Sequence, residues 1–148
     1  MNIVRRRLTI GLIAAALPLA GCGQPAVDAE VEAPAALEEI AGSELSRITL
    51  SARAAERLGI ETATVGEDGS GSAARLTLPY AAVLYDSTGQ TWAYASLGEN
   101  VFVRHAIVVD RIDGETALLD EGPEPGTAVV TTGAAELYGT ETGVGGGH

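Results

Sequence analysis

Between residues 44 and 141 the apolar side chains come in short runs that alternate with polar ones, and Gly, Asp and Pro fill the gaps. A period of two sends successive side chains to opposite faces of an extended chain. The pattern therefore commits this region to strands and turns. Residues 47–50, 60–65, 75–79, 82–85, 91–95, 101–109, 116–119 and 128–132 read as strands, with 101–109 the longest. Asp86-Ser87-Thr88-Gly89 and Asp113-Gly114 are hairpin signals, and Pro125-Gly126 sets a turn before an apolar strand. Ser51 is placed to cap a short helix through Leu58, with Gly59 just past its end. A helical turn at 134–138 closes the region, and residues 66–72, rich in Gly and Ser, read as a flexible break. The expectation is a mainly β domain, a small barrel or sandwich with one or two short helices.

The N-terminus has another character. Arg5, Arg6 and Arg7 precede an almost uncharged apolar run from Leu8 to Ala20, the layout of a secretory signal. The run is too short, and too soon interrupted, to span a bilayer comfortably. Its end, Leu19-Ala20-Gly21-Cys22, resembles the lipobox of bacterial lipoproteins. That resemblance implies cleavage after residue 21 and diacylglyceration of the Cys22 thiol. Cys22 is the one cysteine of the chain, so an anchor is expected and a disulfide framework is not. Each buried methylene adds about 0.8 kcal/mol, and two acyl chains suffice for lasting attachment. The expected organisation is a signal peptide at 1–21, a disordered, lipid-anchored tether rich in Ala, Pro and Glu at 22–43, the β-rich domain at 44–141 and a Gly-rich tail at 142–148. Leu37-Glu38-Glu39-Ile40 reads as a transient helical turn within the tether.

Loss of the signal removes three of nine arginines and none of the 20 acidic residues, leaving six against 20 and a net charge of −14. Lysine is absent throughout. Such a surface repels phosphate backbones, which excludes nucleic acid as a partner. It also offers no overall attraction to anionic headgroups, so membrane residence would rest on the lipid.

The domain carries a further resemblance. Leu78-Pro79-Tyr80-Ala81-Ala82-Val83-Leu84-Tyr85-Asp86, Gly89-Gln90-Thr91-Trp92-Ala93-Tyr94 and Phe102-Val103-Arg104-His105 follow in order. Val108-Val109-Asp110-Arg111-Ile112-Asp113-Gly114 and the stretch from Glu121 through Pro125-Gly126 to Ala134 come next. With Ile48-Thr49-Leu50-Ser51 and Gly59-Ile60-Glu61-Thr62-Ala63-Thr64-Val65, they are similar to the membrane-proximal region of periplasmic adaptor subunits, or membrane fusion proteins, of resistance-nodulation-division efflux systems. The resemblance implies a β-rich domain beside the membrane that docks on a transporter. Full adaptors insert barrel strands, lipoyl half-motifs and usually a long helical hairpin where this chain has only residues 66–72. The resemblance is thus to a truncated form that does not bridge a periplasm.

Groups for catalysis or metal binding are sparse. His105 lies in an alternating strand and reads as a packed or rim histidine, and His148 ends a glycine tail. Gly69-Ser70-Gly71 lacks the strand and helix of a nucleophile elbow. Neither Asp110-Arg111-Ile112-Asp113-Gly114-Glu115 nor Asp120-Glu121 keeps calcium-loop spacing. Met1, the sole methionine, is removed with the signal. Trp92 and Tyr94 share one strand face and read as packing residues. The expectation is a non-enzymatic accessory lipoprotein without catalytic residue, cofactor or metal, held on the extracytoplasmic face of the membrane through Cys22. Its partners are membrane lipid and a transporter, with self-association left open. The alternative is a surface lipoprotein that uses its β scaffold to bind a small molecule or metal.

Overall fold

The computed structural model describes residues 32–69, 71 and 74–143. The expected signal peptide, Cys22, the first part of the expected tether and His148 lie outside the described residues. In chain order the elements are β1 (Ala35–Glu39), β2 (Ser46–Leu50), α1 (Ala52–Leu58), β3 (Glu61–Thr64), β4 (Gly66–Asp68) and β5 (Arg75–Pro79). A 3-10 turn (Tyr80–Ala82) follows, then β6 (Leu84–Tyr85), β7 (Thr91–Gly98), β8 (Val101–Ala106), β9 (Val108–Asp113), β10 (Thr116–Glu121), β11 (Ala128–Thr132) and α2 (Ala134–Thr142).

The strands form two sheets. The larger has the order β1-β2-β8-β7-β11-β3, with β6 also paired to β7, and the smaller has the order β4-β5-β10-β9. Neither closes on itself, so the domain is an open two-sheet sandwich and the barrel option is set aside. Strand alternation builds two cores from one sheet. On β7, Ala93 packs with Val129, Leu78, Ala117, Ile107 and Leu119 between the sheets. Its neighbour Tyr94 faces the other way and packs with Ile48, Phe102, Val130, Ala54 of α1 and Leu137 of α2. The larger sheet is thus covered by the smaller sheet on one face and by both helices on the other.

Local chemistry explains the helices. The Ser51 side chain accepts a hydrogen bond from the Ala54 N–H at 3.2 Å, and Gly59 ends α1 at φ +60°, where a side chain is strained. Ser51 and Gly59 thus act as the sequence predicts. Gly133 opens α2 at φ +93°, and a Cβ there would collide with Ile60.

Residues 82–85, read as one strand, divide into the end of the 3-10 turn, Val83 and the two-residue β6, and four other segments also differ from expectation. Residues 35–39, read as tether with a helical turn at its end, form β1. Ala35 to Glu39 pair antiparallel with Leu50 to Ser46, so the edge of β2 supplies hydrogen-bond partners that the segment's own sequence does not advertise. Residues 66–68, read as a flexible break, form β4 against β5. The absent Gly66 side chain admits Thr77, whose Oγ1 would sit 2.9 Å from a Cβ. The run 101–109 is two strands, because the chain leaves the larger sheet after Ala106 and joins the smaller at Val108. Ile107 makes the corner, donating its N–H to the Thr91 carbonyl at 3.0 Å and accepting from Thr91 Oγ1 at 2.7 Å. Finally, α2 runs on to Thr142 and so takes in the first residue assigned to the tail.

Candidate functional site

The densest polar cluster sits where α2 crosses β7 and β8. Glu141, in the last turn of α2, has a side chain only 4% exposed, and that of Arg104 on β8 is 12% exposed. Arg104 Nε lies 3.2 Å from Glu141 Oε2. Its N–H finds no acceptor in hydrogen-bond geometry, so the attraction is an ion pair without a directed bond. The guanidinium lies between two rings, 4.2 Å from the Trp92 centroid and 5.3 Å from that of Tyr138. Such cation–π contacts strengthen when water is excluded. Glu141 also accepts from the Tyr94 hydroxyl and, at 3.3 Å, from the Ser46 N–H. Burial first, and then the bond to the Glu141 carboxylate, hold the Tyr94 hydroxyl well above the usual phenol range. This phenol is therefore kept as a hydrogen-bond donor and not as a base.

Trp92 ties the cluster to the β6–β7 turn. Its Nε1–H donates to Asp86 Oδ2 at 2.9 Å. The other oxygen of Asp86 accepts from the Thr88 N–H at 2.8 Å, the Thr88 hydroxyl at 2.7 Å and the Gln90 N–H at 3.0 Å. The bonds from Thr88 and then Trp92 hold the Asp86 carboxyl well below the ordinary carboxylate range. Asp86 is thus an ionised turn-maker whose acceptor capacity is already used.

Two open grooves flank Trp92. One, of about 760 Å³, is lined by Glu44, Asp86, Thr88, Arg104 and His105. Of its charged groups Asp86 is bound to Thr88, Gln90 and Trp92, and Arg104 to Glu141. The other, of about 650 Å³, lies between the β6–β7 turn and β9 and is lined by Tyr85, Thr91, Trp92, Val108, Asp110 and Ile112. Its rim is apolar and wet: Tyr85 is 53% exposed, and Val108 and Ile112 are also exposed. The Tyr85 hydroxyl is raised from its ordinary pKa, first by loss of water and then by the Tyr80 hydroxyl beside it. β9 is the outer strand of its sheet, so one side of its backbone has no strand partner among the described residues.

His105 is exposed, with Nδ1 2.8 Å from the Ala106 carbonyl, a rim position. Asp110 and Asp120, in the stretches that lack calcium-loop spacing, are exposed and flank Arg75. No group of three or more His, Cys, Asp or Glu side chains able to hold a metal ion occurs among the described residues. No described helix is long and apolar enough to cross a membrane. Sequence reasoning missed Arg104, Tyr138 and Glu141 as a unit. Cation and carboxylate stand 37 positions apart, and only the docking of α2 brings them together.

The fold and these grooves define a two-sheet β domain with an apolar, open-edged surface. No family model matches the chain, and no curated protein matches it by sequence. Among solved structures it is similar to a 180-residue fragment of SilB from Cupriavidus metallidurans CH34, studied by NMR and described as encompassing an N-terminal metal-binding site and the membrane proximal domain. The TM-score is 0.45 and the identity 27%, over 57% of this chain and 48% of that one. This chain thus spans about half the length of that fragment.

Proposed function

We propose that this chain is a lipid-anchored, extracytoplasmic accessory protein that docks, adaptor-like, on a membrane transporter and performs no chemistry of its own. The observation that carries the reading is the apolar rim of Tyr85, Val108 and Ile112 around an open groove at the free edge of β9. Exposed apolar surface beside unpaired backbone is what a docking partner covers. The same residues fall within the segments that resemble the membrane-proximal region of efflux adaptors. Of the groups best suited to chemistry, Arg104 and Tyr94 are bound to Glu141, and Asp86 is bound to Trp92 and to its own turn. Cys22 confines the domain to the membrane plane, which raises the effective concentration of any partner there and lets a small interface suffice.

Photoreactive residues at positions 85, 108 and 112, irradiated in native membranes, test this. The expected product is a covalent adduct with an integral transporter subunit. Adducts with lipid or with a second copy alone would overturn the docking reading. Separately, a Cys22→Ser variant should be unprocessed or released, and membrane residence after complete signal removal would overturn the anchor.

A further inference from the structure

The larger sheet has two distinct ends. At one of them Ala35 pairs with Leu50 and Thr49 with Val101, and the Leu50 N–H donates to the Asn100 carbonyl at 2.9 Å. This is where the tether joins the domain, since the Ser51 N–H donates to the Pro34 carbonyl at 3.0 Å. α1 starts at the same corner, and a groove shared with Gly98, Glu99 and Asn100 places it beside the β7–β8 hairpin tip. Leu97 at that tip is 60% exposed, the most exposed large hydrophobic side chain among the described residues.

The charges on α1 are also distinctive. Arg47, Arg75, Arg104 and Arg111 each have a carboxylate within 4 Å. Among the described residues Arg53 and Arg57 have none, and both are exposed. Four positions apart, they share a face of the helix. Glu56 and Glu99 line the groove on the hairpin side, whereas Arg57 lines the opposite one with Pro34, Ala35 and Leu58. Arg57 is therefore on the side of α1 on which the tether joins.

We infer that this end of the sheet rests on the phospholipid headgroups, with Arg53 and Arg57 on lipid phosphates and Leu97 reaching into the interface. The inference rests on the lipid anchor at Cys22 proposed above. Eleven residues lie between Cys22 and Pro34, so even at full extension Pro34 is held within about 40 Å of the anchor. The opposite end, at the β1–β2 turn, is about 17 Å farther along the strands. A guanidinium matches phosphate geometry with two parallel N–H donors. The acidic bulk of the domain is repelled by an anionic leaflet while the arginine pair is drawn to it, and the two forces turn the molecule the same way.

The test uses the full lipidated chain in vesicles of phosphatidylethanolamine and phosphatidylglycerol, labelled with a fluorophore on a second cysteine, Leu97→Cys or Glu44→Cys. Glu44 is exposed in the β1–β2 turn at the far end of the sheet. A nitroxide carried on lipid headgroups should quench the label at 97 and leave that at 44 bright, and R53Q/R57Q should abolish the quenching at 97. Equal quenching at both positions, or quenching at 97 unchanged by R53Q/R57Q, would overturn the proposal while leaving the anchor in place. Failure of the wild-type chain to float with the vesicles would instead remove the anchor, and the orientation with it.

Discussion

Replacing Glu141 with glutamine removes one charge and almost no volume from the cluster that fastens α2 to the sheet. The amide still offers an oxygen to the Tyr94 hydroxyl, so the loss falls mainly on Arg104. That guanidinium is only 12% exposed and has no other carboxylate within 4 Å among the described residues. Removing one partner of a buried pair leaves the other charge uncompensated, which costs about 3 to 5 kcal/mol. The Trp92 and Tyr138 rings still hold the cation in the variant, and the last turn of a terminal helix can yield, so the low end of about 3 kcal/mol is expected. Against a total of about 5 to 15 kcal/mol for a small domain, this is a large loss. It corresponds to a fall of about 12 °C or more in Tm.

Trp92 is the one tryptophan in the chain and stacks on Arg104, so its emission during urea unfolding follows the cluster directly. The discriminating comparison adds Arg104→Met. With both charges gone and an apolar chain between the rings, the double variant should be more stable than E141Q alone, because no unpaired charge remains buried. An E141Q transition within about 0.5 kcal/mol of wild type, or a double variant whose loss is the sum of the two single losses, would refute the reasoning. The first outcome would mean that α2 does not hold Glu141 against Arg104 in solution.

Two further outcomes follow from the turn and the first strand. Asp86 has a folded-state pKa below its ordinary value, so its contribution is present above the unfolded carboxylate pKa and is lost as pH falls through the depressed one. Trp92 emission should therefore stay constant through about pH 4 and change only in stronger acid; a transition centred near the ordinary carboxylate value, or an Asp86→Asn variant with an unaltered acid profile, would contradict this. Deleting residues 33–43 removes β1 and bares the edge of β2, including Ile48, which is fully buried. The expected loss in urea unfolding is about 1 to 2 kcal/mol, and an unchanged midpoint would show that β1 does not pair in solution.

What the sequence revealed, and what it withheld, divides along the range of the interactions. Helix α1 was legible because Ser51 and Gly59 act within one turn of their own position. The Asp113-Gly114 hairpin was legible for the same reason. β1 was not, since Ala35-Ala36-Leu37-Glu38-Glu39 has no clean alternation and is held by the partner strand on which it lies. The corner at Ile107 was hidden by its own regularity. A period of two persists through residues 101–109 whether the strand runs on or changes sheets, and what decides is the pair of bonds to Thr91. On β7 the alternation of Trp92 and Tyr94 with Ala93 and Ala95 was visible, yet both kinds of residue are core, because helices cover one face and a second sheet the other. The same distinction governs the candidate surfaces. Net charge argued against any attraction of this chain to a membrane, and for the molecule as a whole it does. Which of the described arginines remain without a carboxylate is decided only by the packing, and it leaves the two on α1, a helix that starts at the corner where β1 begins.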